Sequence, residues 1–209
     1  MKLLRWSCLL LGLSGWVTGA QEIVVGPPRV LADQGGYTSC VFVDPGVGGW
    51  QGLSLICSRV NQAQFAEELW RIPLAGGAPE LIGYGRQPRV RGNMLVYVGT
   101  EPGREGIWLR DLSGQCAEQR LADDPALEWP TIAPDGQSVA CFRPTERNSG
   151  IFVLPISGGK GDWLVNRDER QPCYDLRTQR LLVTKNGQLW VLSGGAREQI
   201  VEERITDAG

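Results

Sequence analysis

The sequence predicts an all-β fold, a β-propeller-like arrangement of about four blades in a closed or a partial ring, each blade being a four-stranded antiparallel sheet. Three observations lead to this prediction. The chain repeats at about 40 residues, turn signals separate strand-like runs within each repeat, and the second run of each repeat is apolar throughout. Together they require sheets that recur along the chain and are covered on both faces.

The repeat is visible in two series of residues. Prolines recur at 42-residue intervals, in the tripeptides Arg86-Gln87-Pro88, Glu128-Trp129-Pro130 and Arg170-Gln171-Pro172. Aromatic residues preceded by Leu or Ile recur at spacings of 38, 44 and 38, at Trp70, Trp108, Phe152 and Trp190. Such a period is typical of propeller blades. A β-sandwich, the competing all-β architecture, does not require a sequence repeat.

Turn signals divide each unit into strands. Lys185-Asn186-Gly187 separates two apolar runs, and Asn-Gly tolerates the positive φ angles of a tight hairpin. Pro134-Asp135-Gly136 serves the same purpose in the third unit. Small residues after each aromatic run mark the turn to the outermost strand: Gly76-Gly77, Ser113-Gly114, Gly158-Gly159 and Gly194-Gly195.

The second strand of each unit lacks the alternation of a half-exposed strand. The four runs are Leu53–Cys57, Leu95–Val98, Val139–Phe142 and Leu181–Val183. A continuous apolar strand implies cover on both faces of its sheet. Blades that pack between neighbouring blades provide that cover.

The third unit carries a family resemblance. Its segment Pro134–Phe142, followed by Ile151–Leu154 and Gly158-Gly159, resembles the PD40 (WD40-like) repeat of TolB-like β-propellers. The resemblance extends over about residues 37–205, in four copies, and is weaker where Arg91–Asn93 and Leu176–Thr178 replace the Pro-Asp-Gly turn. It concerns the repeat family and not TolB itself. Four copies could close into a small ring, form an open arc or pair with another chain.

The first twenty residues are typical of a signal peptide. Lys2 and Arg5 precede the apolar stretch Leu9–Val17, and Thr18-Gly19-Ala20 supplies small residues for cleavage. The alternative, a membrane anchor, would need an apolar stretch of about 20 residues. We therefore expect a periplasmic or secreted protein with no stable membrane insertion after cleavage.

The predicted domain organisation follows. Residues 1–20 form the signal peptide, residues 21–36 an N-terminal segment that could supply a closing strand, and residues 37–209 the propeller. After cleavage, an odd number of cysteines remains: Cys40, Cys57, Cys116, Cys141 and Cys173. Up to two disulfides could form, and their pairing stays open. Cys57 and Cys141 lie in apolar runs, so we expect them to be small buried hydrophobic residues.

Composition excludes several function classes. The chain contains no histidine, which rules out Ser-His-Asp and Cys-His catalysis and histidine-ligated metal sites. Neither nucleophile-elbow nor phosphate-loop motifs are present. Adjacent acids such as Asp123-Asp124 and Glu202-Glu203 are typical of solvated surface, not of a glycosidase pair. With a net charge of −2 and no basic run, the chain is a poor match for nucleic acid. We expect no enzymatic activity and no cofactor.

A binding role remains. The loops that enter the inner strands are expected to place six residues near one end of the propeller axis: Arg86, Gln87, Glu128, Trp129, Arg170 and Gln171. Arg86 and Arg170 would then act on a shared ligand. The TolB resemblance implies a cell-envelope scaffold that binds a protein or peptide. The alternative is a sensor or enzyme-associated domain that binds a glycan or another small polar ligand.

The signal-peptide prediction is tested on the exported protein. We expect its N-terminus to be Gln21, because the small residues preferred by signal peptidase end at Ala20. Intact mass or N-terminal sequencing of the periplasmic or secreted fraction measures this. A membrane-bound form that retains residues 1–20 would contradict it.

Overall fold

The structure, a computed structural model, describes residues 36–64, 66–144, 149–165, 169–175, 179–193 and 196–199. The predicted signal peptide and residues 21–35 of the predicted N-terminal segment lie outside the described residues. So do Leu176–Thr178 and Gly194-Gly195 of the fourth repeat. The described part of the chain is built from strands, with a single turn of 3-10 helix at Val47–Gly49.

Sixteen strands form four blades in chain order. Blade 1 contains β1 (Tyr37–Val43), β2 (Ser54–Asn61), β3 (Ala66–Pro73) and β4 (Glu80–Tyr84). Blade 2 contains β5 (Arg86–Arg91), β6 (Met94–Gly99), β7 (Gly106–Asp111) and β8 (Gln119–Ala122). Blade 3 contains β9 (Glu128–Ile132), β10 (Ser138–Arg143), β11 (Gly150–Pro155) and β12 (Asp162–Val165). Blade 4 contains β13 (Arg170–Tyr174), β14 (Leu181–Lys185), β15 (Gln188–Ser193) and β16 (Ala196–Gln199).

Each blade is an antiparallel meander in which every strand pairs with the next. The first strands of consecutive blades contact one another, β1 with β5, β5 with β9 and β9 with β13, so they are the innermost strands. No contact of that extent joins β13 to β1 among the described strands. The prediction of four four-stranded antiparallel blades is confirmed.

The hydrophobic core is divided between the three blade interfaces. Between blades 1 and 2, Ile56 and Leu69 pack with Leu95 and Tyr97. Between blades 2 and 3, the same strand β6 contributes its other face, with Val96 and Val98 among the buried residues. Blades 3 and 4 meet in a smaller cluster around Ala140, Ile151, Leu181 and Val183. The burial of β6 and β10 on both faces is thus explained by a neighbouring blade on each side, whereas β14 is fully buried only at Leu181 and Val183.

The aromatic series marks equivalent third-strand positions, as predicted. Each aromatic residue lies opposite one residue of its second strand: Trp70 opposite Cys57, Trp108 opposite Tyr97, Phe152 opposite Cys141 and Trp190 opposite Val183. The Asn-Gly hairpin is also confirmed, since Asn186 and Gly187 adopt φ angles of 52° and 74° between β14 and β15. Positive φ at both turn residues matches the twist of the flanking strands.

The prediction for Cys57 is wrong in one respect. Its side chain is buried, but it forms a disulfide with Cys40, its direct neighbour on β1. The two residues meet because the register between β1 and β2 places them opposite each other, and this register is not visible in the cysteine spacing. Cys141 is buried and unbonded, as predicted, while Cys116 and Cys173 are exposed free thiols. Burial raises the pKa of the Cys141 thiol, which keeps it protonated and unreactive.

Thiol labelling tests the cysteine assignment. In the native protein that begins at Gln21, we expect an alkylating reagent to modify Cys116 and Cys173 alone. Denaturation should add Cys141, because unfolding restores its contact with water and its ordinary pKa. Peptide mass spectrometry after each step locates the labels. Labelling of Cys40 or Cys57 in denatured protein without a reductant would contradict the disulfide.

Truncation of the third-strand aromatics tests the interblade core. Trp108 packs at the interface of blades 1 and 2, and its indole N–H donates to the Arg104 carbonyl at 2.7 Å, while Trp190 packs at the interface of blades 3 and 4. We expect Trp108→Ala and Trp190→Ala each to lower the free energy of unfolding by roughly 3–5 kcal/mol. Phe42→Ala is the control, since this ring is 67% exposed. Denaturant melts in which both tryptophan variants lose less than about 1 kcal/mol would contradict the packing.

Candidate functional site

The six predicted site residues begin three innermost strands. Arg86-Gln87 starts β5, Glu128-Trp129 starts β9 and Arg170-Gln171 starts β13. The sequence placed them in loops that enter these strands, whereas in the structure they already pair with the second strand of their blade. Arg86 lies opposite Val98, Glu128 opposite Phe142 and Arg170 opposite Thr184. Equivalent pairing puts all six at the same end of the three strands.

A β-bulge recurs at the second residue of each pair. Gln87, Trp129 and Gln171 adopt φ angles of 54°, 52° and 48°, and the strand register shifts at each of them. The following prolines are buried, and Pro fits at a bulge because it has no N–H to pair. Left-handed backbone is costly for residues other than Gly, Asn and Asp, and such strain tends to occur at functional sites. The bulge bends the inner strand and re-aims the side chain at that position.

Arg86 forms ion pairs across two blade boundaries. Its guanidinium nitrogens lie 3.3 Å from Glu128 Oε1 on blade 3 and 3.7 Å from Glu67 Oε2 on blade 1. Ion pairs therefore link Arg86 on β5 to β3 of blade 1 and to β9 of blade 3, and these two carboxylates balance its positive charge. Arg170 differs, because it is exposed and its guanidinium carbon lies 5.8 Å from the centroid of the Phe142 ring. The two arginines have equivalent positions but unlike surroundings.

A hydrogen bond links the bulges of blades 2 and 3. The backbone N–H of Trp129 donates to Oε1 of the buried Gln87 side chain at 2.6 Å. Trp129 cannot offer the same acceptor to Gln171 on the next blade, because an indole N–H only donates. The repeat residue at this position is glutamine in blades 2 and 4. The tryptophan of blade 3 thus has no oxygen that could accept the backbone N–H of the next blade. Its side chain is also larger and less polar than the glutamines at this position in blades 2 and 4.

The side chain of Trp129 lines an axial cavity of about 300 Å³. The cavity lining consists of Arg89, Trp129, Gln171, Pro172, Cys173, Leu182, Thr184 and Leu189. Five of these residues lie on the innermost strands of blades 2, 3 and 4, and Leu182, Thr184 and Leu189 lie on the second and third strands of blade 4; the name axial cavity refers to the contribution of the three innermost strands. The structure therefore brings together two of the predicted residues, Trp129 and Gln171. Arg86, Gln87, Glu128 and Arg170 are outside the lining of this cavity.

Sequence reasoning missed Arg89 and Cys173. Both occupy the repeat position directly after the motif proline, where blade 3 has the buried Thr131. The sequence does show that this position varies, because it holds Arg, Thr and Cys in three motifs that are otherwise similar. Arg89 is the one charged residue among the described residues that line the cavity. Its Nη1 donates to the carbonyl of Pro88 at 2.9 Å.

A larger cavity of about 610 Å³ lies between blades 1 and 2, away from the motif residues. Its polar groups largely satisfy one another. The hydroxyl of Tyr97 donates to Glu118 Oε1 at 2.6 Å, Arg104 pairs with the same carboxylate, and Arg110 donates to the Ile82 carbonyl. Burial, and then the hydrogen bond to Glu118, raise the pKa of Tyr97, so its hydroxyl stays protonated. The smaller axial cavity is the better candidate for a binding site, because it is lined by Trp129, which replaces the glutamine found at this position in blades 2 and 4.

Within the described ranges, three or more Cys, Asp or Glu side chains nowhere come together in a way that could hold a metal ion. The part of the chain that the structure describes also contains no helix long and apolar enough to cross a bilayer.

Solved structures with a similar fold are β-propellers. The chain is similar to a protein assigned as TolB in Agrobacterium tumefaciens, with a TM-score of 0.57 and 14% identity over 70% of this chain and 60% of that one. It is similar to TolB of Acinetobacter baumannii, with a TM-score of 0.58 and 13% identity over 70% of this chain and 40% of that one. A chain of a nidogen/laminin complex matches with a TM-score of 0.54 and 13% identity, over 70% and 59% of the two chains.

These likenesses concern the fold. The chain spans between 40% and 60% of the length of these three structures. No protein-family profile matches the sequence, and no curated protein does so. The described part of the chain therefore has a TolB-like β-propeller fold.

Proposed function

We propose that this protein is a non-enzymatic binding or scaffold protein of the cell envelope, which captures a protein or peptide segment in its axial cavity. The observation that carries the proposal is Trp129. It replaces the glutamine of the repeat, cannot make that glutamine's interblade hydrogen bond, and lines the cavity instead. Tryptophan residues in pockets are among the commonest anchors of protein interfaces.

The cavity dimensions support a short segment as the ligand. About 300 Å³ is the lower end of the range of small-ligand pockets, enough for one or two side chains. A peptide can place such side chains in the cavity while the rest of the partner contacts the exposed residues nearby, among them Arg170. The envelope location rests on the signal-peptide prediction and on the TolB-like fold.

The absence of enzymatic activity is part of the same proposal. The chain has no histidine, and among the described residues that line the axial cavity Arg89 is the one charged group, with no carboxylate in that lining to act as a base. Such a lining can bind and orient a ligand but offers no acid–base pair.

Replacement of Trp129 by the residue of the repeat tests the proposal. Trp129→Gln should fold normally, because Gln87 and Gln171 adopt the same left-handed backbone conformation. Peptides selected from a random phage-displayed library on the wild-type protein should bind this variant about 10- to 30-fold more weakly, the loss expected when a hot-spot side chain is removed. Binding constants measured by titration calorimetry give the ratio.

Leu164→Ala is the matched control, since Leu164 lies on the outermost strand of the same blade and is 49% exposed. It should bind the selected peptides as the wild-type protein does. A glycan array probed with the same proteins tests the alternative ligand class. Undiminished peptide binding by a folded Trp129→Gln variant, or Trp129-dependent binding of glycans alone, would overturn the proposal.

A further inference from the structure

Arg89 has a charge that the described protein does not balance. No carboxylate of the described residues lies within 4.0 Å of its guanidinium, and its hydrogen bond goes to the neutral carbonyl of Pro88 at 2.9 Å. Arg86, three residues earlier, pairs with two glutamates. A guanidinium has five N–H donors, and the Pro88 carbonyl accepts from one of them. Arg89 is half-buried, so it is a partly desolvated cation at the wall of a cavity.

The remaining lining of the cavity is uncharged. Trp129, Pro172, Leu182 and Leu189 are apolar or aromatic, Gln171 and Thr184 supply neutral polar groups, and Cys173 contributes a free thiol. A low-polarity surround strengthens the attraction between a guanidinium and an anion. The same surround disfavours a cationic ligand, which would meet Arg89 without a compensating carboxylate. The lining therefore fits a ligand with one negative group and an apolar body.

We propose that the axial cavity recognises a carboxylate carried by an apolar peptide segment, with Arg89 as the partner of the carboxylate and Trp129 as the contact for the apolar part. This inference rests on the proposed peptide-binding function and specifies its ligand. Arginine is suited to the task because two of its N–H groups can donate in parallel to the two oxygens of a carboxylate. The carboxylate belongs either to the C-terminus of the partner chain or to an internal Asp or Glu.

Three acetylated tetrapeptides separate these possibilities. The first, Ala-Leu-Ala-Leu with a free C-terminus, carries a terminal carboxylate. The second is the same peptide with an amidated C-terminus and has none. The third, amidated Ala-Leu-Glu-Leu, carries an internal carboxylate. Their binding to the full mature protein is measured by titration calorimetry and by tryptophan fluorescence at low and moderate salt.

We expect one of the two carboxylate peptides to bind the wild-type protein at least about 10-fold more tightly than the neutral one, a ratio typical of a charge-assisted hydrogen-bonded pair. Arg89→Gln should abolish this preference, and added salt should reduce it. Arg120→Gln is the matched control, because it removes the same charge from an exposed position on the outermost strand of blade 2. That variant should keep the preference, and circular dichroism should show both variants folded.

The outcomes distinguish this inference from the proposed function. Equal binding of all three peptides, lost in Trp129→Gln but retained in Arg89→Gln, would overturn the carboxylate assignment and leave peptide binding at the cavity intact. A preference for carboxylate that survives in Arg89→Gln would overturn the role of Arg89. Failure of the wild-type protein to bind these peptides and any library-selected peptide would overturn both.

Discussion

Burial of the second strands of the two middle blades, β6 and β10, on both faces is the constraint on which the rest of the structure depends. In β6, Leu95 and Tyr97 pack towards blade 1 while Val96 and Val98 pack towards blade 3, and all four are almost completely buried. A fully buried side chain of this kind contributes about 1.5–3 kcal/mol. A four-stranded blade on its own would expose one or both of these surfaces, so blades stabilise one another in the way of other repeat proteins. The axial site is a consequence, because this packing sets the innermost strands of blades 2, 3 and 4 side by side, and residues of all three line the cavity together with Leu182, Thr184 and Leu189 of blade 4.

Features set by local sequence could be predicted, and features set by register could not. The strands, the Asn186-Gly187 hairpin and the aromatic positions follow from periodicity and turn chemistry, which act over a few residues. The Cys40–Cys57 disulfide depends on which residues of β1 and β2 lie opposite each other, a relation over 17 residues of chain. The recurring bulge was hidden for the same reason. The Arg-Gln-Pro motif showed that its position matters, but not that its middle residue adopts a left-handed conformation within a strand.

The candidate site was predicted in part. Trp129 and Gln171 line the cavity, whereas Arg86 of the same motif belongs to an ion-pair network with Glu67 and Glu128. Sequence alone gives three arginines on β5, Arg86, Arg89 and Arg91, and no means of telling that, among the described residues, Arg86 is balanced by carboxylates whereas Arg89 is not. The difference arises from the packing of three blades, which puts carboxylates beside one arginine and none of the described ones beside the other. The spacing of charged residues along the chain therefore predicts which of them lie at the same end of the propeller. Which of these residues form ion pairs depends on how the blades pack.

Equivalent positions of the blades can be compared with one another. A substitution in one blade is informative where the residue of the other blades makes a specific contact. Gln87 makes such a contact, because its side chain accepts the N–H of the next blade. In blade 3 the equivalent residue is Trp129, which cannot make it, and the adjacent residue changes from Arg to Glu128. Glu128 has a structural explanation, since it pairs with Arg86 across the blade boundary. The bulge itself does not require Trp129, because it forms equally with glutamine in blades 2 and 4. Trp129 lines the axial cavity, and the proposed ligand binding rests on that position and on the aromatic character of the residue.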